Sequence, residues 1–337
     1  MALPCDVADV DGFLSEPTEG ALRSMGGMEG DAIVLGAAGK MGPHLAMMLR
    51  RGIRGRVFGV SRFSDGGARE RLTAAGVETI ACDLGDRDAV ARLPEAPNVF
   101  FMAGQKFGTS GAPDATWAMN VLVPAIVAER YRGSRIVAFS TGCVYPFVSV
   151  GGSGSREDDA VGPPSGEYAW SCVGRERMFA HGARRHGTRV ALFRLNYSVE
   201  FRYGVLVDIA QKILAGEPVD LTMGHVNIIW QGDAVARAIQ SMELAASPPG
   251  PINVTGPDTL LVRDLAARLG RRLGREPRFT GAESATAWLS NASRSIALWG
   301  APSVSVDQMI EWVASWLEIG GRTLGKPTHF EARDGKY

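Results

Sequence analysis

Tyr168 stands in the stretch GEYAWSC at 166–172, and Thr141 in FSTGCVY at 139–145. Brought together, a phenol and a hydroxyl could move a proton to or from a substrate oxygen. In such a pair a phenol transfers the proton, and a hydroxyl fixes the oxygen by a hydrogen bond. A free phenol titrates near ~10, so transfer at neutral pH calls for a cation that favours the phenolate. One helical turn after Tyr168 comes Cys172, whose thiol is neutral or negative and brings no such charge. Two other residues could supply it. Lys106 could reach across a pocket, and Arg175, seven residues after Tyr168, shares its helix face. Lys106 is the choice made here. Cys172 is either an acid/base in its own right or a small side chain packed out of reach. The second reading has more support, because nothing basic flanks it except Arg175.

A second constellation is Gly36, Gly39 and Gly42, spaced G-x-x-G-x-x-G directly after the apolar run AIVL. Glycines in that place permit a tight turn, close approach of backbone to a pyrophosphate, and close packing of the next helix on the strand. The amides of Lys40, Met41 and Gly42 would then face the anion at the helix start. The next strand ends in Ser61-Arg62. An acidic residue there would suit the ribose hydroxyls of NAD, whereas a guanidinium suits the 2′-phosphate of NADP. NADP is therefore expected, with NAD as the alternative. Asp65 follows later and is assigned to the loop.

These residues need a scaffold. Short apolar runs alternate with helical patterns from residue 31 to about 195: AIVL, VFGV, VETIACDL, NVFFMAG and RIVAFSTG read as strands, with helices between them. Such alternation predicts a Rossmann-type, doubly wound parallel sheet covered on both faces. Residues 196–320 read as a smaller α+β substrate lobe, with 225–240 returning to the sheet domain. Residues 1–30 read as an arm, with a helix that Ser15 caps and Pro17 opens. Residues 321–337 read as a polar tail that wraps the surface or a subunit contact.

In order along the chain, several segments resemble the extended short-chain dehydrogenases/reductases, in particular the NAD-dependent epimerase/dehydratase branch. GAAGKMG resembles that family's glycine motif. CDLGD at 82–86 resembles its adenine-contacting segment, which implies Asp83 and Leu84 at the cofactor. FMAGQK implies Ala103 and Gly104 along the cofactor and Lys106 at the substrate. MNV places Asn120 with them. FSTGCVY and the segment leading into Tyr168 resemble the serine/threonine and tyrosine of the active site. The resemblance covers about residues 31–280 and implies a hydroxylated carbohydrate or sugar-acid-like substrate, with Asn196 among its contacts; Arg202 and Tyr203 follow the strand end that faces the substrate lobe and read either as contacts to an anionic group of the substrate or as ordinary surface residues. It also implies a homodimer through helices near 115–131 and 168–185. Two departures stand out. The family's Y-x-x-x-K is Tyr168-x-x-x-Cys172, and Asn196 comes one residue early, with Tyr197 in the expected slot.

The missing lysine leaves a second reading open: a catalytically weakened dinucleotide-binding protein used for regulation or assembly. An enzyme would keep a polar pocket lined by Thr141 and Tyr168. A sensor could close it with Cys172, Phe107 or Trp170. Bulk properties narrow the partners. Of 337 residues, 36 are Lys or Arg and 36 Asp or Glu, so the net charge is zero, and neither nucleic acid nor a membrane surface is favoured. The five histidines and four cysteines have no metal-ligand spacing, so no metal is expected. Scattered cysteines and an acidic, signal-free N-terminus suggest the cytoplasm.

Overall fold

The computed structural model describes residues 3, 4, 6–64, 67–106, 108, 111–162 and 165–335. Asp65 and Phe107 lie outside the described residues. Seven strands form the central sheet: β1 Ala32–Leu35, β2 Val57–Ser61, β3 Glu78–Ala81, β4 Asn98–Phe101, β5 Arg135–Thr141, β6 Arg189–Leu195 and β7 Gly250–Val254. Their order is β7-β6-β5-β4-β1-β2-β3, and every pairing is parallel. β1 and β4 are apolar or uncharged along their length and wholly buried, as strands covered on both faces must be. The chain winds outward from β1 in one direction and from β4 in the other. The crevice between their carboxyl ends is the topological switch point, where such sheets bind ligands.

Helices cover both faces. Gly42–Gly52 packs Leu45, Met48 and Leu49 on one face, joined by Ala234, Val235 and Ile239 of Gln231–Gln240. Val127, Phe179 and Ala183 cover the other face, from Val123–Arg130 and Gly166–His186. A separate core in the second half of the chain joins Leu206, Ile209, Leu265, Leu269, Val313 and Trp316. The boundary expected at 195/196 is not clean, because β7 comes from the region assigned to the substrate lobe. Its side chains Ile252 and Val254 complete the sheet's own core.

Two local expectations change. The arm holds two helices, Val7–Leu14 and Glu19–Gly26. Ser15 closes the first, and Thr18 caps the second by accepting from the Ala21 amide at 3.2 Å. Pro17 disfavours helical backbone at Glu16, so the second helix begins after the proline. The single helix expected near 115–131 has a π turn at Ala118–Leu122 between α-helical ends. Pro124 has no N–H to give the carbonyl of Asn120 four residues back, so the coil widens there.

Candidate functional site

At the carboxyl edge of β1, β4, β5 and β6 lies a cavity of about 680 Å³. Its walls come from the glycine turn, the ends of β4 and β5, the start of Gly166–His186, residues 195–203 and the C-terminal tail. Of the expected site residues, Gly36, Gly39, Lys40, Met41, Gly42, Gly104, Lys106, Thr141, Tyr168, Asn196 and Arg202 all line it.

Gly36 has φ of 99°, and a Cβ there would come within 2.6 Å of the Ala103 amide nitrogen. A Cβ on Gly42 would stand 2.5 Å from the Gly36 carbonyl oxygen. The turn is thus folded on itself to a closeness only glycine allows, and it feeds into a helix whose first amides have no partner within the helix. That cradle fits the diphosphate of a dinucleotide. Ala103 is buried, and its amide stands against Gly36. At the far end of the sheet Arg62 is exposed just past β2, beside half-buried Ser61. Asp83 is exposed, and one of its carboxylate oxygens accepts the Gly85 amide at 2.9 Å. Leu84 is buried in the core. Ala103, Ser61, Arg62, Asp83 and Leu84 are not walls of the cavity.

Thr141 ends β5, and its hydroxyl oxygen accepts the Cys143 amide at 3.2 Å, closing a short turn. That leaves the hydroxyl proton to donate into the cavity. Tyr168 sits in the first turn of Gly166–His186. A buried chain of bonds locks this helix to the sheet. Ser140 donates to Glu176 at 2.6 Å, and Arg194 meets both Glu176 oxygens at 2.9 and 2.8 Å. Arg194 also donates to the Tyr145 hydroxyl at 2.6 Å, which donates to Asn253 at 3.0 Å. β5, β6, β7 and the tyrosine helix are thereby held in one register, with Tyr168 and Thr141 at its open end.

Of the two readings of Cys172 the structure has the packed side chain and not the acid/base: it is fully buried and forms no part of the cavity wall. The Tyr168 hydroxyl donates to its sulfur. Burial pushes the phenol well above its ordinary range, and Cys172 and Cys143 add to this, while Arg175 opposes it. Burial also pushes the Cys172 thiol up to about 11. Lys106, the expected substitute cation, donates to the Thr328 carbonyl of the tail at 3.0 Å. Arg175 also brings positive charge to bear on Tyr168, and its guanidinium donates to the Phe139 carbonyl at 2.9 Å and to Asn120 at 2.6 Å. Asn120, expected at the cofactor, is also behind the wall. Its fully buried amide bonds Gln105 twice, at 2.9 Å each, together with Ser171 and Arg175. It fixes the loop that carries Gly104 and Lys106, a task for which the π turn aims it inward.

Opposite, Asn196 is buried, and its side-chain amide donates to the Trp288 carbonyl at 3.3 Å. Arg202 pairs with the buried Glu200 at 3.2 Å. Lys40 turns away from its own helix toward this side. Its ammonium donates to Ser198 at 2.8 Å and lies 4.0 Å from the centre of the Tyr203 ring. Burial pushes that ammonium down to about 7, with Lys106 and Arg202 adding to the effect and Glu200 opposing it.

Two groups of wall residues had no signal in local pattern. Asp11 of the arm reaches the glycine-turn helix, bonding His44 at 2.9 Å and Arg71 at 2.7 Å. His44 in turn meets Gln231 at 2.9 Å through its other ring nitrogen. The tail contributes Leu324, Lys326 and Thr328. Asp208 anchors it by accepting from the Thr328 hydroxyl and amide at 2.5 and 2.8 Å. Neither segment was expected at the site. The signals available were one acidic residue among several in a short helix and a threonine among polar neighbours, and both are common.

A parallel sheet with a glycine cradle and a Thr141–Tyr168 pair at its switch point defines a nucleotide-binding α/β enzyme. The family model described as "NAD dependent epimerase/dehydratase family" matches residues 32–234, and the chain belongs to that family. Comparison with curated proteins finds no match. Among solved structures, the fold is similar to UDP-glucose 4-epimerase of Thermotoga maritima, solved with UDP-glucose. Identity is 18% and the TM-score 0.73, covering 86% of this chain and 98% of that one. It is also similar to DesIV, a dTDP-glucose 4,6-dehydratase of Streptomyces venezuelae, with 17% identity, a TM-score of 0.74 and coverage of 86% and 97%. WbmH of Bordetella bronchiseptica, solved with NAD+, shows 18% identity, a TM-score of 0.71 and coverage of 86% and 98%.

Proposed function

We propose that this enzyme acts on a hydroxyl- or carbonyl-bearing carbon of a carbohydrate, as an epimerase, dehydratase or dehydrogenase, with Tyr168 as its proton-transfer residue. The observation that carries the reading is the meeting of Tyr168 and Thr141 in one open cavity with the glycine turn. The relatives in fold that act on UDP- and dTDP-linked sugars support a carbohydrate substrate. The site is also open in the manner an enzyme needs: Cys172 lies behind the wall, and Trp170, 40% exposed, is not among the cavity residues.

Gly36, Gly39 and Gly42 would hold the dinucleotide's diphosphate, with the amides of Lys40 to Gly42 as donors, and Gly104 would border its nicotinamide end. When bound, the dinucleotide supplies the hydride donor or acceptor. The chain's own groups do the rest. Thr141 donates its hydroxyl proton to the substrate oxygen and orients it. Tyr168, held protonated by burial and by Cys172, gives its proton to that oxygen as negative charge develops there. Arg175 steadies the phenolate that remains. Lys106 and Asn196 hold the substrate from two sides. Ser61 in the acidic slot and exposed Arg62 support NADP as the preferred dinucleotide.

The test is titration with NADP+ and NAD+, followed by turnover of sugar substrates. NADP+ should bind more tightly, and Arg62→Ala should weaken NADP+ about tenfold or more while leaving NAD+ nearly unchanged. Tyr168→Phe should lower turnover by about 100-fold or more at unchanged dinucleotide affinity. A Tyr168→Phe enzyme as active as the parent would end the proton-transfer assignment.

A second copy of the chain is the proposed partner. Trp117, Leu122 and Trp170 are 40%, 45% and 40% exposed on adjoining helices. Three large apolar side chains in one neighbourhood suit a subunit contact.

A further inference from the structure

The first helix of the arm, Val7–Leu14, is anchored on one side and offers a carboxylate on the other. Val10 and Leu14 are fully buried in the core of the second half of the chain. Phe13 meets Phe201, Trp230 and Trp312 edge-on, with ring centres 5.4, 6.1 and 5.0 Å away. Asp11, 4% exposed, is thereby carried to the cavity wall. One of its oxygens meets His44 at 2.9 Å and has Arg202 at 3.7 Å, and the other accepts from Arg71 Nε at 2.7 Å. Burial raises the Asp11 carboxyl, but His44, Arg202 and Arg71 outweigh it and hold the group below its ordinary range. Asp11 is therefore an ionised anchor with both oxygens taken.

Arg71 is held by one edge only. Its Nε is spent on Asp11, and its two terminal nitrogens make no hydrogen bond with the described residues. A guanidinium fixed at Nε presents those nitrogens as a fork, a geometry that takes two oxygens of one phosphate. Position says which phosphate. Arg71 belongs to Ala68–Ala74, the helix that follows β2. A Cβ on Gly67 would stand 3.0 Å from Arg71 Nη1, so the guanidinium lies over the end of the loop that leads from Ser61-Arg62 into that helix. The end of the second strand is where such folds meet the adenosine ribose, while the amides of the glycine turn meet the diphosphate. Ala68 and Arg71 line the cavity with Gly39 and Pro43, whereas Arg62 is not a wall of it.

We propose that Arg71 is a specificity-determining residue for the dinucleotide, taking the 2′-phosphate of NADP, and that Asp11 of the arm is the residue that positions it. This rests on the NADP reading above and deepens it. Selection then depends on a segment that lies outside the span matched by the family model, residues 32–234. An arginine already fixed in its bound direction loses less freedom when the phosphate arrives, which is what the arm contributes.

The experiment is calorimetric titration of the parent, Arg71→Met, Arg71→Lys and Asp11→Asn with NADP+ against NAD+, and with 2′-AMP against 5′-AMP, at low and high salt. Arg71→Met should weaken NADP+ and 2′-AMP about tenfold or more and leave NAD+ and 5′-AMP within about twofold. Arg71→Lys should recover only part of the loss, since an ammonium cannot make the fork. Asp11→Asn should lower the preference for NADP+ over NAD+ about threefold or more at unchanged NAD+ affinity, a selective change that mere loosening of the arm would not produce. Added salt should shrink the preference of the parent and barely touch that of Arg71→Met. Should Asp11→Asn fail to fold, Asp11→Glu, which keeps the charge and displaces it, reads the same preference. A preference untouched in Arg71→Met overturns the assignment. A preference lost in Arg71→Met but kept in the Asp11 variant overturns the arm's part. The parent's own titration reads the broader claim separately: a parent that does not prefer NADP+ removes the NADP reading, whatever the variants do.

Discussion

Cys172 replaces the cation expected one turn after Tyr168, and the consequence is specific. A lysine there would draw the phenol proton off. The thiol accepts it as a hydrogen bond and, with burial, keeps the tyrosine protonated. In the proposed reaction Tyr168 would therefore act as the proton donor. Cys172→Ala should keep turnover within about threefold of the parent and cost about 1 kcal/mol of stability, measured by denaturant unfolding. A loss of two orders of magnitude in turnover would mean the thiol takes part in the chemistry. Lys40 makes a second prediction at this scale. Its ammonium, pushed down to about 7 by burial first, is fully charged below that pH and neutral above it. Affinity for an anion held at this ammonium should therefore be full at pH 6 and fall as pH rises through 7, by up to about tenfold per pH unit. Lys40→Met should flatten that dependence between pH 6 and 9, as read by titration calorimetry.

Elements matter here because they hold side chains in register. The tyrosine helix Gly166–His186 is pinned to β5, β6 and β7 through Glu176, Arg194, Tyr145 and Asn253, all buried. A buried ion pair is costly to break from one side only, since a charge is left without a partner. Arg194→Met should cost about 3–5 kcal/mol by chemical denaturation, and adding Glu176→Leu should restore part of it. If the double variant were no more stable than the single, the pair would not be the source of the cost. The π turn is a smaller example. Pro124 opens the helix, and Asn120 is then aimed at the loop carrying Gly104 and Lys106 rather than at a ligand.

At the scale of the molecule, both chain ends close on the site. The arm brings Asp11 to His44, Arg71 and Arg202, and its Val10 and Leu14 pack into the core of the second half of the chain. The tail brings Thr328 to Lys106 and Asp208, and Gly335 backs onto Gly166 at the start of the tyrosine helix. No helix among the described residues is long and apolar enough to cross a membrane. The parent should sediment as a dimer, and Leu122→Glu with Trp170→Glu should sediment as a monomer at the same protein concentration. A monomeric parent, or a dimer that survives both charges, would reject that surface.

Local pattern carried the sheet and the glycine turn, because strand runs, turn glycines and helix faces are written within a few residues of each other. The family resemblance pointed to Thr141, Lys106 and Asn196, and the place after a strand end to Arg202; all four line the cavity with Tyr168. What it could not carry was which way a side chain faces across distance. Cys172 and Asn120 sit one turn and one bend from cavity residues, yet packing turned both inward. Lys106 and Thr328 are 222 residues apart, and His44 and Gln231 are 187 apart. Such contacts leave no periodic trace, since they are fixed by the summed burial of elements that meet only after the chain has folded. Sequence alone determined the parallel sheet and its glycine turn; only the tertiary structure decided which lysines line the cavity at the sheet's edge and that residues of the arm and the tail form part of its wall.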